Sequence, residues 1–258
     1  MTGDDHVLAR DLAGQAGQRL LELRAQGGDP DVLRKAGDRL SHEFLTAALA
    51  GQRPGDVVLS EEGADNPARL GARRVWIVDP LDGTREFGEP GRTDWAVHVA
   101  LWEKGDVSGP GDLTAGAVAL PAQGTVLSTA EPPSPLHEDV ASTARLRIVV
   151  SRSRPPSFVR DISGLINAEL VPLGSAGAKV AAVICGEVDA YVHGGGFYEW
   201  DTAAPVAVAR AAGLHASRID GSALAYNQPD LLMPDILVCR AAVAGILLRA
   251  IREVTHAS

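Results

Sequence analysis

The sequence predicts a protein that combines helices and sheets, with an α+β first part and an α/β second part. Two observations predict this class. Residues 1–145 open with two helical patterns and continue with short strands of mostly antiparallel type, whereas residues 146–258 alternate between strand and helix patterns. A chain of 258 residues that is 45% hydrophobic can bury a large core. We therefore expect the two parts to form one compact unit.

The first part is predicted to open with two helices. Apolar residues recur at helical spacing over about residues 5–24, and Gly27 follows the end of this pattern. A second helical pattern runs from Leu40 to Leu49 and closes at Gly51. Asp38 lies near the predicted start of this second helix. Because an acid in a first helical turn complements the helix dipole, Asp38 needs a functional role only if it also faces a site.

Strand patterns fill most of the remaining first part. They cover residues 56–60, 75–78, 93–102, 115–120 and 125–128, the last two as the arms of a hairpin. In the long strand, alternation predicts one shared face for Trp95, Val97, Val99 and Leu101. The polar segments 105–111 and 131–139 are rich in proline and glycine, so we expect mobile loops there.

The second part alternates between strands and helices. The predicted strands are residues 146–150, 170–173, 189–192 and 236–239, and the predicted helices are residues 158–169, 176–187, 202–212 and 241–254. Asp201 stands where the third of these helices should begin. On its own, this aspartate is sufficiently explained as a helix cap.

Composition excludes several classes of function. The net charge of −9 argues against binding to nucleic acid or to an anionic membrane. No apolar stretch is long enough to span a membrane, and the acidic N-terminus lacks a signal-peptide pattern, so we expect a soluble cytoplasmic protein. Cys185 and Cys239 lie in apolar surroundings without a metal-binding pattern, which predicts buried free thiols.

The segment with the most chemical information is Asp79-Pro80-Leu81-Asp82-Gly83-Thr84. It follows the apolar strand 75–78, and its proline and glycine predict a sharp turn where that strand ends. Two carboxylates held close together repel each other, so they favour a cation between them, and oxygen ligands suit Mg²⁺. When Asp-Pro-x-Asp-Gly is considered alone, an ordinary turn is the favoured explanation, because Asp, Pro and Gly are the commonest turn residues.

The complete DPLDGT segment after VWIV resembles the metal-binding signature of the inositol monophosphatase family. A second motif, Trp200-Asp201-Thr202-Ala203-Ala204, is similar to the family's W-D-x-A-A/G pattern. Two motifs in the family's order are more specific than either alone. The resemblance implies a layered αβαβα sugar-phosphatase fold and a metal-dependent phosphatase.

The resemblance also implies a set of metal ligands and catalytic residues. Two Mg²⁺ ions roughly 4 Å apart would activate a water for in-line attack at phosphorus, with a third ion left open. Thr84, oriented by Asp38, would position that water, although Lys35 stands where the family has a threonine. Glu61, in the Ser60-Glu61-Glu62 segment, would act both in catalysis and as a ligand; adjacent acids in a loop are otherwise solvated surface. The implied metal ligands are Glu61, Asp79, the Leu81 carbonyl, Asp82 and Asp201.

Finer features select a subfamily. DPLDGTREF and EWDTAA resemble the CysQ-type 3′-phosphoadenosine 5′-phosphate (PAP) phosphatases, which implies hydrolysis of PAP to AMP and phosphate in sulfate assimilation, with sensitivity to Li⁺. A capped helix start or a solvated charge is the alternative explanation for each implied contact. The implied substrate contacts are Gly83, Thr84, Arg85, Ser151, Arg152, Ser175, Lys179 and Asp201.

Three alternatives remain at this point. The same metal machinery would serve hydrolysis of inositol monophosphate or fructose 1,6-bisphosphate, because only peripheral contacts select the substrate. A protein that binds a phosphometabolite without catalysis is disfavoured by the complete motif set. A dinucleotide-binding domain is disfavoured because no GxGxxG follows a strand. The partner we expect is a small phosphorylated metabolite, and a homodimer is left open.

Overall fold

The computed structural model describes residues 4–105, 110–134, 145–153 and 155–256. The helices are α1 (Asp5–Ala25), α2 (Pro30–Gln52), α3 (Thr84–Gly88), α4 (Ser157–Leu165), α5 (Ala176–Ile184), α6 (Glu199–Ala211) and α7 (Ala241–His256). The strands are β1 (Val57–Ser60), β2 (Arg74–Asp82), β3 (Ala96–Glu103), β4 (Asp112–Leu120), β5 (Thr125–Ser128), β6 (Arg147–Ser151), β7 (Glu169–Leu173), β8 (Ala190–His193), β9 (Phe197–Tyr198), β10 (His215–Ser217), β11 (Leu232–Met233) and β12 (Ile236–Cys239).

The first sheet has the strand order β1-β2-β3-β4-β5 and is antiparallel except for the parallel pair β1 and β2. Strand alternation gives this sheet two apolar faces. Trp76, Val97 and Val99 pack with α1 and α2 on one face, whereas Ile77 and Ala100 pack toward α5 and α6 on the other. The predicted shared face of Trp95, Val97, Val99 and Leu101 is confirmed.

The second sheet has the strand order β10-β12-β8-β6-β7, in which β6 is parallel to both β7 and β8. Its inner face contacts α5 and α6, and its outer face packs with α4 and α7. The layers therefore run from the α1–α2 pair through the first sheet, the α5–α6 pair and the second sheet to the α4–α7 pair. This is the αβαβα arrangement that the resemblance implied.

Strand β2 was predicted to end before the DPLDGT motif. In the structure it continues into the motif, to Asp82. Pairing with β3 explains the difference. Asp79 lies opposite His98 and Asp82 opposite Ala96, so three steps along β2 face only two along β3. The extra residue is a β-bulge, a position where Pro80, which has no N–H to donate, is tolerated. The sharp turn comes one residue later, at Gly83, whose φ of +83° is in the left-handed region.

Two helices begin earlier than predicted. Helix α2 starts at Pro30 because Asp29 caps it, accepting hydrogen bonds from the backbone N–H groups of Asp31 and Val32. Asp38 therefore lies more than two turns inside the helix, where the helix dipole does not explain its presence. Helix α6 starts at Glu199, so Asp201 is not the capping residue but lies in the first turn and accepts from the N–H of Tyr198 at 2.6 Å.

Smaller differences concern helix ends, thiols and loops. Helices α4 and α5 end at Leu165 and Ile184, several residues before the predicted ends. Both cysteines are free, as predicted, but only Cys239 is buried, because Cys185 follows the last turn of α5 and is exposed. The predicted loops 105–111 and 131–139 fall partly outside the described residues, at 106–109 and 135–144. None of the helices in the described ranges has the length and apolar character needed to cross a membrane.

Candidate active site

Three aspartates from distant parts of the chain meet between the two sheets. Asp79 and Asp82 come from the end of β2, and Asp201 comes from the first turn of α6. One carboxylate oxygen from each lies within 4.8 Å of the others. The side chains of Asp79 and Asp82 are almost completely buried. Two buried acids and the partly exposed Asp201, this close together, form a cluster that could hold a metal ion.

The β-bulge brings the first two of these acids onto one side of the sheet. Residues three apart in a regular strand point to opposite faces, and the extra residue of the bulge cancels this inversion. Asp79 Oδ1 also accepts from the N–H of Leu81 at 3.0 Å, which fixes the carboxylate against its own bulge. The local fold of DPLD therefore aims both carboxylates at the same point.

Glu61 reaches the cluster because β1 runs parallel to β2. Ser60 pairs with Val78, and the strands reach the same edge of the sheet together. The carboxyl group of Glu61 shares a hydrogen bond with that of Asp79. Desolvation of its carboxyl group and the charge of Asp201 raise the pKa of Glu61 to about 7, although the residue as a whole is exposed. Glu61 therefore lies next to Asp79 at the edge of the cluster of three aspartates.

Burial and the mutual repulsion of the carboxylates dominate the electrostatics of the cluster. Burial, followed by the charges of Glu61, Asp82 and Asp201, raises the pKa of Asp79 far above its ordinary value. Burial and the charge of Asp82 raise the pKa of Asp201 to about 6. Because all the donors are oxygens, the cluster fits a hard cation such as Mg²⁺.

Asp82 is the exception, since its pKa is lowered to about 2. Burial alone would raise this pKa, but contacts with His98, the charge of Lys179 and a hydrogen bond from Ser175 outweigh it. The carboxylate accepts from the hydroxyl of Ser175 and from the backbone N–H groups of Ala176 (3.1 Å) and Gly177 (2.6 Å), at the start of α5. The N-terminus of a helix from the second part thus holds an acid of the first part in its ionised form.

Thr84 and Asp38 lie together beside the acid cluster. Thr84 Oγ1 is 3.2 Å from Asp38 Oδ1 and 3.0 Å from the carbonyl oxygen of Leu81. Burial and the nearby charge of Glu62 raise the pKa of Asp38 to about 6, although the hydrogen bond with Thr84 opposes this shift. The structure thus brings together the threonine and the aspartate that the resemblance paired.

Comparison with known proteins agrees with this geometry. The model of the inositol monophosphatase family matches residues 9–256. The chain belongs to the inositol monophosphatase family. The predicted family, and with it the prediction of a hydrolytic enzyme, is confirmed.

Individual members of the family are similar over most of the chain. A 3′-phosphoadenosine 5′-phosphate phosphatase of Mycobacterium leprae is 51% identical over 97% of this chain and 94% of its own length. A protein of the same name from Mycobacterium tuberculosis is 52% identical over 92% of this chain and 90% of its own length. The crystal structure of CysQ from Bacteroides thetaiotaomicron, 28% identical, superposes with a TM-score of 0.77 and covers 92% of this chain and 97% of that one.

In the present structure, an open cleft of about 910 Å³ lies beside the acid cluster. Its lining includes most of the residues that the resemblance named as substrate contacts. Three aromatic residues, Phe158, Phe197 and Tyr198, also line it. The implied contacts that line the cleft are Gly83, Thr84, Arg85, Ser151, Ser175, Lys179 and Asp201.

Arg152 is the implied substrate contact that does not line the cleft. Its guanidinium donates to the carboxylates of Glu86 at 2.6 Å and Glu89 at 2.9 Å, both next to the DPLDGT motif. Lys179 is also largely committed, because its Nζ donates to the carbonyl of Ser175 at 2.6 Å and is buried. Arg85 is different: its side chain is 63% exposed and approaches Glu89 only at 3.5 Å. Arg85 is therefore the more adaptable cation of the cleft.

Two residues of the site were missed by the sequence analysis. Tyr198 lies at the cleft, 45% exposed, with its ring stacked on Trp200 at a centroid distance of 4.9 Å. His98 is completely buried among the acids. One signal was available for His98, because alternation in β3 puts it on the face opposite Val97 and Val99, among alanines, where an ionisable residue is unusual.

Proposed function

We propose that this protein hydrolyses 3′-phosphoadenosine 5′-phosphate to AMP and phosphate. The observation that carries the reaction is the cluster of Asp79, Asp82 and Asp201 at one end of a cleft, with the Thr84–Asp38 pair beside it. The choice of substrate is supported by two relatives of that name at 51% and 52% identity over nearly the whole chain.

The residues present fit Mg²⁺, and Glu61, Asp79, the Leu81 carbonyl, Asp82 and Asp201 are the groups that would hold it. When bound, Mg²⁺ would neutralise charge on the phosphoryl oxygens and make a coordinated water more acidic. The protein itself supplies rigid positions for these oxygens. Asp79 is fixed by the N–H of Leu81, and Asp82 by three donors at the start of α5.

The Thr84–Asp38 pair would orient the attacking water. Thr84 has one hydroxyl proton and two lone pairs. When Asp38 is ionised, it accepts that proton, so the lone pairs of the threonine oxygen can accept a hydrogen bond from a water. Although burial raises the pKa of Asp38 to about 6, the carboxyl group is still mostly ionised at neutral pH and can accept this proton. No protein nucleophile is needed for in-line attack by water.

The polar and the aromatic residues of the cleft suit the two ends of a nucleotide. Arg85 and Ser151 can contact phosphate or ribose oxygens, while Phe158 and Tyr198 offer ring surface to a purine. An inositol phosphate has no aromatic ring to place against these side chains. The cleft therefore favours a nucleotide over a sugar phosphate within the same reaction type.

The decisive experiment compares kcat/KM for phosphate release from PAP, inositol 1-phosphate and fructose 1,6-bisphosphate with Mg²⁺ present. Strong preference for PAP supports the proposal. Preference for a sugar phosphate would keep the reaction and reject the substrate, and no release from any of the three would reject catalysis. The Asp82→Asn variant serves as the inactive control, with kcat expected to fall at least on the order of 10²-fold.

Several finer statements from the sequence analysis stay predictions. The first is whether two or three Mg²⁺ ions bind, and the second is inhibition by Li⁺ at concentrations on the order of millimolar, as the family resemblance implies. The third is formation of a homodimer, and the fourth is a cytoplasmic role in sulfate assimilation. The first three have a direct measurement. Isothermal titration counts the ions, inhibition curves report Li⁺, and sedimentation equilibrium reports the oligomer.

A further inference from the structure

We propose that His98 is a positioning residue that sets the spacing between Asp82 and Asp201 and thereby determines how tightly the acid cluster binds its metal ion. This inference rests on the proposed metal site but not on the identity of the substrate. Asp79 and Asp82 belong to one strand, so the strand itself fixes their separation. Asp201 comes from a helix of the other half of the molecule and needs a separate constraint.

The imidazole of His98 contacts both halves of the cluster. Nδ1 lies 3.1 Å from the carbonyl oxygen of Trp200, the residue directly before Asp201. Because a carbonyl can only accept, Nδ1 carries the proton in this hydrogen bond. Nε2 lies 3.3 Å from Oδ2 of Asp82, and Nδ1 lies 3.9 Å from Oδ2 of Asp79. One rigid ring therefore spans the gap between the two segments that supply the aspartates.

The surroundings leave this ring no freedom. The side chain of His98 is fully buried, and its backbone is paired in β3 with both β2 and β4. Besides β2 and β4, the start of α5 also lies against the ring, at Gly177. A Cβ atom on Gly177 would lie 2.0 Å from Nε2 and 3.0 Å from Cε1 of His98. The ring is thus held between the β2 acids, the first turn of α5 and the start of α6.

The glycine supports this interpretation. Glycine is less favourable than alanine in a helix, and Gly177 is a buried residue of α5 with no positive φ that would require it. Its lack of a side chain gives room to the imidazole of His98. The same residue donates its N–H to Asp82 at 2.6 Å. Gly177 and His98 therefore both contact Asp82, and the small size of Gly177 makes room for the imidazole of His98.

The first test separates the two contacts of the ring. In His98→Asn the amide can replace Nδ1 and keep the bond to the Trp200 carbonyl, whereas in His98→Gln the longer side chain can replace Nε2 toward Asp82. The readout is the dissociation constant for Mn²⁺ and for Mg²⁺ alone, measured by isothermal titration calorimetry without substrate. Loss of an outer-sphere partner of a metal ligand typically weakens binding about 10- to 100-fold, and we expect this loss in both variants.

Kinetics distinguish positioning from general destabilisation. We expect the metal concentration for half-maximal activity to rise in parallel with the dissociation constant, while KM for PAP changes less than kcat. The control is His215→Asn, which removes a histidine of β10 whose Nε2 contacts Ser217 and which is remote from the acids. This control should keep the metal affinity of the unaltered protein. Folded His98 variants with unchanged metal affinity would refute the proposal.

The second test keeps the histidine and moves it. Gly177→Ala should displace the ring and weaken metal binding, whereas the same change in the His98→Asn background should add little, since the shorter side chain leaves room. Such non-additivity reports direct coupling. Full additivity of the two effects, or a Gly177→Ala variant with unaltered metal affinity, would contradict the model. This test remains decisive if His98→Asn alone folds poorly, because Gly177→Ala is then assessed by itself.

Discussion

At the residue scale, Asp38 is the group whose charge state should control the rate. Its pKa of about 6 means that the carboxylate is ionised above pH 6 and accepts from Thr84, whereas below pH 6 the protonated carboxyl competes as a donor. We expect kcat at saturating Mg²⁺ to fall about tenfold per pH unit below this pKa. Asp38→Asn should have a lower kcat and should lose this acid limb. The measurement is a pH profile of kcat between about pH 5 and 8.

The matched control for this change is Asp31→Asn, because Asp31 is an exposed acid on the same helix, α2. It should keep both the rate and the acid limb. An Asp38→Asn profile that still bends near pH 6 would assign the limb to another group.

The same carboxyl group should move stability in the opposite direction to activity. Because burial raises the pKa of Asp38 above its unfolded value of 3.8, its contribution to stability is fully present below about pH 3.8 and is lost as pH rises through about 6. We therefore expect the free energy of unfolding of Asp38→Asn, measured relative to that of the unaltered protein, to be larger at about pH 7.5 than at about pH 5. Urea denaturation of the metal-free proteins at these two pH values measures the difference. An equal urea midpoint shift at both pH values would contradict it.

Tyr198 is the residue that should separate nucleotides from sugar phosphates. Its ring is half-exposed at the cleft and is held in place by stacking on Trp200. Stacking of a base on an aromatic side chain is worth about 1–3 kcal/mol, so Tyr198→Leu should lower kcat/KM for PAP by roughly 5- to 150-fold, mainly through KM. Hydrolysis of inositol 1-phosphate should change little.

The control for Tyr198 is its cross-strand partner. Leu232 pairs with Tyr198 between β11 and β9 and is equally exposed, but it does not line the cleft. Leu232→Ala should therefore leave the preference for PAP intact. Equal losses for PAP and inositol 1-phosphate in Tyr198→Leu would assign the tyrosine to the shared reaction rather than to base recognition.

At the element scale, α6 depends on a buried arginine far away in the sequence. Arg69 donates to the side chain of Asn227 and to the carbonyl of Gln228, both at 2.8 Å. The N–H groups of Asn227 and Gln228 in turn donate to Glu199, the first residue of α6. Arg69 thus anchors the segment that holds the start of the helix carrying Asp201.

Removal of this anchor should destabilise the fold more than it alters the chemistry. Arg69→Met leaves buried acceptors without donors, and we expect a loss of about 3–5 kcal/mol in the free energy of unfolding. Asp65→Asn, which changes only the more exposed partner of Arg69, should cost less than about 1 kcal/mol. Urea titrations of both variants give the values. Similar losses in the two variants would show that the buried bonds to residues 227 and 228 carry no special weight.

Elements with a strong local pattern could be predicted from the sequence. Strands β5 and β12 match their predicted bounds, and α1 ends within one residue of the prediction. The start of α6 and the bulge in β2 could not be predicted, because they depend on Leu231 and on β3, which lie elsewhere in the chain. Strands β9 and β11 are too short to give a pattern of their own.

The site shows the same division between local and distant causes. The local pattern predicted that Asp79 and Asp82 lie close together, whereas the proximity of Asp38 to Thr84, and of Asp201 to these two aspartates, was expected only from the family resemblance. Pattern alone assigned Asp201 to a helix cap. The pairing of Arg152 with Glu86 could not be foreseen, because only the tertiary fold brings together residues that are 66 apart in the sequence.

At the scale of the whole molecule, the two parts share their central layer. Helices α5 and α6 belong to the second part, yet α6 packs across β2, β3 and β4 of the first sheet. One apolar cluster contains Ile77 and Ala100 from the first part together with Val183 and Val206 from the second. Neither sheet can therefore keep both faces covered without the other part of the chain.

This shared layer predicts a single cooperative unfolding transition. Three of the four tryptophans, Trp76, Trp95 and Trp102, lie in the first sheet or beside it, so fluorescence reports the first part. Cys239 is a fully buried thiol of the second sheet and reports that part through its reaction with a thiol reagent. In a Cys185→Ser variant, which removes the exposed thiol, we expect both probes to give the same urea midpoint. A thiol that becomes reactive at a clearly lower urea concentration than the fluorescence change would mean that the second sheet opens independently of the first.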